Sequence, residues 1–349
     1  MPTQEYAASI QGVALRVTRL DAFGNPLNGP GDSYTTPAFM RVSFTPEYED
    51  GDEITEKAAN GSVCVTYKAP DTLKRITMEL AICDPDPELT NLISGGLLLR
   101  KNLGTFAAQN NKSVGWAAPA VGDDPAGNGV SVEAWSLAIK EGKKSAILPH
   151  FHWIFPYAKL RQSGDRVIEN GLLATTFEGF GLGNAAFGAG VDERWEFPVS
   201  SDRPYSYART TWAPSGLLGF YTWHGDLNAA VSNKALTNNV VTLSTSIAHG
   251  FEAGEKVTVA GVTGTGFNGT FVITATPTPT TFTYASVAAA VVSAVQTPVG
   301  SALVTAGPRA VNDLIDSSTP ASFNVPGNVD YNGALASDVS IQSSENPTV

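Results

Sequence analysis

The sequence predicts a mainly β protein, and three observations carry that reading. Of 349 residues, 34 are Gly and 22 are Pro while only 16% are charged, a balance that favours short strands and turns over long helices. Apolar side chains recur with period two at Met40, Val42 and Phe44, at Val63, Val65 and Tyr67, and at Ile76, Met78, Leu80 and Ile82, as half-buried strands require. Val- and Thr-rich runs separated by Gly-centred turns then fill residues 239–284, the spacing of a small all-β module.

Taken in order, residues 1–12 are polar and without period, an arm. A first strand runs from Gly12 to Leu20 with Val13, Leu15 and Val17 on one face, and residues 21–37 are turn chemistry. The three alternating runs follow, each expected to be half-buried. Between the first two lie Glu47, Glu49, Asp50, Asp52, Glu53 and Glu56. Six carboxylates in ten positions repel one another, so this stretch is expected to be an extended, solvated, projecting loop. The period then switches. Asp84 or Asp86 is placed to cap a helix, Pro87 fits its first position, Glu88 complements its dipole, Leu89 and Ile93 lie four apart, and Gly95-Gly96 stops it.

Residues 104–129 form a long loop rich in Gly, Asn and Pro, of the kind that packs on a partner. Val130 to Ala138 alternates as a strand. Phe151, Trp153, Phe155 and Tyr157 make an aromatic stripe that predicts core or subunit-interface packing, since no Lys or Arg is interleaved for base stacking. A strand over Gly171 to Gly179 leads into Gly179-Phe-Gly-Leu-Gly183, which opens no helix and therefore reads as a bulge or close backbone approach, not a phosphate loop. Tyr205, Tyr207, Arg209 and Thr211 share one face of a further strand, and Leu217 to Trp223 is a short apolar end.

Several ordered segments carry a resemblance. Val17-Thr-Arg-Leu-Asp21, the 49–61 segment Glu-Asp-Gly-Asp-Glu-Ile-Thr-Glu-Lys-Ala-Ala-Asn-Gly, Leu80 to Leu89 with its Cys-Asp-Pro-Asp-Pro-Glu-Leu, Arg166-Val-Ile-Glu-Asn-Gly171 and Ser201-Asp-Arg-Pro-Tyr205 resemble the major tail (tail tube) proteins of long-tailed phages infecting actinobacteria, over roughly residues 1–226. The resemblance implies a tail-tube-type β-sandwich or barrel with one short helix over 1–228, closing into stacked, hexameric rings. These form a conduit for DNA ejection with an acidic lumen. It also implies a virion location, made in the host cytoplasm, with further copies of itself, tape measure, tail terminator and baseplate proteins as partners, and DNA passing without specific binding. The 47–56 loop is expected at the ring-to-ring contact or the lumen, with 1–12 and 104–129 as further candidates. Residues 229–305 resemble the accessory, Ig-like modules that phage structural proteins carry outside, and 306–349 read as an acidic C-terminal arm or tail.

Charge and composition bound the function. A formal net charge of −11 argues against gripping phosphate backbones, which takes clustered Lys and Arg. The stretch 231–305 carries only two basic and two acidic residues. Residues 2–20 lack a basic segment followed by an apolar one, and no apolar run is long enough to span a bilayer, so a soluble cytosolic product is expected. Cys64 and Cys83 are expected as free core thiols, a cross-strand disulfide being the other arrangement.

No catalytic motif stands out. Asp and Glu are abundant, but none sits in a context that would split a pair of carboxyl pKa values. His150 and His152 project to one strand face, yet no Cys, Asp or Glu lies at ligand spacing, so they read as a half-exposed pair and no metal is expected. His249 sits in a turn. No cofactor and no enzyme activity are expected. The alternative from another class is a virion carbohydrate- or receptor-binding protein using the 229–305 module, which contains no Trp and one Tyr.

Overall fold

The computed structural model describes residues 7–83, 86–102, 111–124, 127–164, 175–192, 194–197, 201–311, 328–334 and 338–343. The chain is mainly β and forms two compact units, Met1–Thr222 with Ala310–Val349, and Trp223–Arg309.

In the first unit the strands are β1 (Ala8–Arg19), β2 (Ser33–Thr36), β3 (Phe39–Glu49), β4 (Glu53–Lys57), β5 (Val63–Lys68) and β6 (Thr72–Ile82). Helix α1 (Pro87–Ser94) follows, then β7 (Leu97–Asn102), β8 (Asn111–Ala117), β9 (Val130–Lys140), β10 (Lys143–Lys144), β11 (His150–Ser163), β12 (Thr175–Leu182), β13 (Ser206–Thr210) and β14 (Gly219–His224). The large sheet runs β14-β2-β1-β9-β11-β12-β6-β3. Period-two alternation sets its inner face: Leu15 and Val17, Val130 and Val132, Phe155 and Leu160, Phe177, and Ile76, Met78, Leu80 and Ile82 meet in one core. Each such side chain contributes about 1.5–3 kcal/mol by leaving water.

Helix α1 closes that core with Leu89, Leu92 and Ile93. Its ends are local chemistry. Asp86 is the N-cap and accepts from the amides of Glu88 (2.8 Å) and Leu89 (3.4 Å), Pro87 needs no donor at the first position, and Gly95 turns the chain out at φ 65°. The Tyr34 hydroxyl donates to the other Asp86 carboxylate oxygen. Asp84 lies outside the described residues.

The second unit contains β15 (Leu227–Thr237), β16 (Val240–Thr245), β17 (Lys256–Ala260), β18 (Gly269–Thr278), β19 (Thr281–Ala285) and β20 (Val291–Val304). These close into a barrel, β15-β16-β19-β18-β17-β20, around Val231, Leu243, Val257, Phe267, Phe282 and Tyr284. This corrects the Ig-like expectation: β15 and β20 are long enough to pair with two neighbours each, so the sheet returns on itself and leaves no second sheet to pack against. Beyond β21 (Gly307–Ala310), the strands β22 (Asn328–Ala334) and β23 (Asp338–Ser343) belong to the first unit, where β22 runs parallel to β7 in the sheet β23-β22-β7-β8.

Other differences from the sequence reading have simple causes. The first strand begins at Ala8, because residues 8–10 extend the ladder with β9. The 104–129 stretch contains β8, which pairs with β7. Residues 103–110, and 171–174 of the strand expected over Gly171 to Gly179, lie outside the described residues. Gly179 and Gly183 do mark close backbone approach: a Cβ there would sit 1.9 Å from the Lys159 carbonyl oxygen and 2.2 Å from that of Ser201. Among the described residues no helix is long and apolar enough to cross a membrane.

Candidate functional site

Strands β4 and β5 form a two-stranded hairpin inserted between β3 and β6, and all of their residues are exposed. The neck is tied by the Gly51 amide to the Asp71 carboxylate (3.0 Å) and by the Ala69 amide to the Asp52 carbonyl (2.9 Å). At the tip Asn60 accepts from the Ser62 amide (3.0 Å), and Gly61 takes φ 84° in the turn. Ile54 lies opposite Tyr67 and Glu56 opposite Val65, which puts Ile54, Val63, Val65 and Tyr67 on one face together with Glu56, the four apolar side chains each at least half exposed. Glu53, opposite Lys68, is on the other.

The expectation of a half-buried strand over Val63 to Tyr67 is therefore wrong, as is that of Cys64 as a core thiol. Alternation was read correctly, but nothing among the described residues covers the apolar face. Cys64 is an exposed free thiol, and Cys83 is a half-buried free one whose S–H points to the Ala38 carbonyl (3.0 Å).

The six carboxylates separate into distinct settings. Glu47 belongs to β3 and pairs across the ladder with Arg75 (Nε–Oε2 2.5 Å), a bond that holds its carboxyl below the usual range. Glu49 ends β3, Asp50 and Asp52 form the neck, and Glu53 and Glu56 ride on β4. So the stretch expected as an extended loop is largely strand: pairing with β5 satisfies its backbone, while alternation and an Asp-Gly-Asp neck spread the charges.

The aromatic stripe lies on β11 as expected. Phe155 is in the core and Phe151 is buried. Trp153 is half-buried, stacked on Tyr207 at 4.5 Å, and Phe44 fits between Trp153, Phe155 and Tyr205. Tyr157 is half-buried near Gly129, where a Cβ would meet its ring at 3.0 Å.

His150 and His152 are buried, not half-exposed; over His152 and Ile154 this part of the sheet's outer face is covered by Phe187 and Trp195. There Arg16 donates to Glu133 (Nε–Oε2 2.5 Å) and, with both terminal nitrogens, to Asp192 (2.9 and 3.1 Å). His152 Nε2 meets the other Glu133 oxygen at 2.9 Å and its ring stacks on Trp135 at 4.2 Å. Burial alone would lower the Arg16 pKa, but Asp192 and Glu133 outweigh it and the proton is held more tightly than in water. Burial would raise Glu133, yet Arg16 and His152 bring it down to about 2.

Sequence reasoning missed this cluster. Arg16 and Glu133 each sit between apolar residues on a strand, a pattern that reads as a solvated face. Chemically it is a set of mutual counterions in which both Glu133 oxygens are engaged, one by Arg16 and one by His152. Among the described residues no group of three or more His, Cys, Asp or Glu side chains is arranged to hold a metal. No protein-family model matches the chain, and no curated protein matches it.

Proposed function

We propose that this protein is the ring-forming subunit of a phage tail tube, with Met1–Thr222 as the wall and Trp223–Arg309 as an outward decoration. The observation that carries this reading is the β4–β5 hairpin. It is a built, hydrogen-bonded arm whose apolar side chains Ile54, Val63, Val65 and Tyr67 stay at least half exposed, with nothing among the described residues packed over them. Exposed apolar faces of this kind are made for another surface, and the acidic residues at the neck and on β4 keep the free subunit soluble until one is met. The reading places that surface on the adjacent ring.

A second observation supports it. β3, eleven residues long, ends the large sheet, and among the described residues no strand pairs with its outer edge, where alternate residues present their backbone groups. Long free edges invite uncontrolled pairing, and a repeated head-to-tail contact that closes into a ring removes them. The expected ring is hexameric, with tape measure, terminator and baseplate proteins as its other contacts and DNA in its bore.

Electron microscopy of the purified protein at high concentration tests this. Rings or hollow tubes of uniform width are expected; a monodisperse monomer under all salt and concentration conditions, with tape-measure and chaperone partners supplied, overturns it. The carbohydrate- or receptor-binding alternative has less support, since sugar recognition favours exposed aromatic rings. The barrel's Tyr284 is buried, and Phe271 is half-buried against it at 4.2 Å.

A further inference from the structure

The outer face of β11-β12-β6-β3 differs from that of the neighbouring β1-β9 part: no segment among the described residues covers it, and it forms an open groove of about 720 Å³. Charged side chains line it, yet every guanidinium or ammonium group in its wall has a carboxylate from the same chain. Arg75 pairs with Glu47 (2.5 Å), Lys159 with Asp124 (2.6 Å) and Arg161 with Glu178 (3.5 Å). Arg41, two residues before Ser43 on β3, pairs with the lining residue Glu79. Glu178 and Glu79 stand directly opposite each other on β12 and β6, a like-charge pair that is unfavourable alone and is offset here by the two arginines flanking it.

We propose that this face lines the bore of the tube, and that Glu47, Glu79, Asp124 and Glu178 serve there as built-in counterions that keep its four cations away from DNA phosphates. The inference rests on the tube reading. Two features select this face. It carries an open groove that no described segment covers, and the sheet ends in the β3 edge, so a sheet continued from subunit to subunit through that edge would present this face along one continuous wall. The charge pattern then gives the consequence. Binding to a phosphate backbone releases condensed counterions only where a cation is free to replace them. A paired cation must first give up its carboxylate, so passing DNA finds no adhesive point. The bore would work by charge balance on this face, not by carboxylates alone.

The test uses the full chain assembled into tubes, and a variant carrying Glu47→Gln, Glu79→Gln, Asp124→Asn and Glu178→Gln. A helical reconstruction of wild-type tubes should place Thr77 and Phe180, which lie on this face, toward the channel. Fluorescent duplex DNA of about 20 base pairs should not be retained by wild-type tubes. Variant tubes should retain at least ~10-fold more in a nuclease-protected form, released by salt with a slope of about −0.9 per freed cation. A reconstruction with this face on the outer wall or buried between subunits overturns the inference, as do variant tubes that retain no more duplex than wild type. If the variant fails to fold, the wild-type reconstruction and the single Glu79→Gln tube decide in the same way. Failure of the wild type to form tubes at all overturns the tube reading itself and this inference with it.

Discussion

Arg16 and Asp192 lie 176 positions apart and meet in a two-pronged ion pair, 2.9 and 3.1 Å, with both side chains out of water. The contact fastens the 184–197 segment to the sheet from which Arg16 projects. Removing one partner of a buried pair leaves an uncompensated charge, which costs about 3–5 kcal/mol. Asp192→Ala leaves Arg16 with Glu133 as a remaining partner, so the loss of unfolding free energy should lie at or below the lower end of that range, lowering the urea midpoint and making cleavage between residues 184 and 197 faster under limited proteolysis. Removing Arg16 as well should deepen the loss, because buried Glu133 then loses its guanidinium partner; an Asp192→Ala variant as stable as wild type would show that the segment is held elsewhere.

The same cluster predicts an acid dependence. The Glu133 carboxyl is held at about 2 in the folded protein against an ordinary 4.5, with Arg16 and His152 overcoming the opposing effect of burial. Its contribution is complete above pH 4.5 and is lost as pH falls toward about 2, because the unfolded chain binds the proton first. Urea midpoints measured across that window should fall steeply for wild type. Glu133→Gln should be less stable at neutral pH and show a shallower slope. Parallel curves would assign the acid sensitivity to other carboxylates.

What could be read in advance was local. The cap of α1 needed only the order Asp86, Pro87, Glu88 and Gly95, and the Gly179 to Gly183 run announced close backbone contact without saying with what. The stripe on β11 followed from period two. Alternation does not reveal whether a face is covered, however, and this caused the two largest errors in opposite directions. Val63, Val65 and Tyr67 look buried and are more than half exposed because no layer among the described residues lies over the hairpin. His152 and Glu133 look solvated and are buried because a distant segment with Trp195 covers them. The barrel's closure was equally out of reach, since it depends on which strands β20 pairs with and not on the strands' own residues.

The hairpin gives a prediction that separates assembly from folding. Replacing Glu49, Asp50, Asp52 and Glu53 by Ser alters exposed charges, which contribute little to stability, so the melting temperature should stay within about 1–2 °C while tubes become shorter or fail to form. Gly51→Ala acts on the neck instead: a Cβ there would lie 2.0 Å from the Ala69 carbonyl oxygen, so the arm must shift its base. Tube yield should fall with little loss in the large sheet's stability. Normal tubes from both variants would remove the hairpin from the stacking contact.

The last prediction concerns the barrel. Its chain leaves and re-enters the first unit at neighbouring points, since the Val311 amide donates to the Phe220 carbonyl at 3.0 Å. An insertion between two hydrogen-bonded backbone positions can be removed without opening a gap, and a short Gly/Ser linker spans that distance easily. The barrel also has its own apolar centre, from Ala229 to Val304, so neither part needs the other to fill its core. From Val257 to Pro308 the chain carries no charged residue. Excising 226–306 behind such a linker should leave a soluble protein that still forms tubes, thinner in outline with an unchanged central channel. Removing everything after residue 225 as well tests the returning strand, because it deletes the β22 pairing with β7. Tubes from the excision alone, but not from the truncation, would assign β22 a part in the wall. If both proteins fold yet neither polymerises, the barrel belongs to the wall and not to its outer surface.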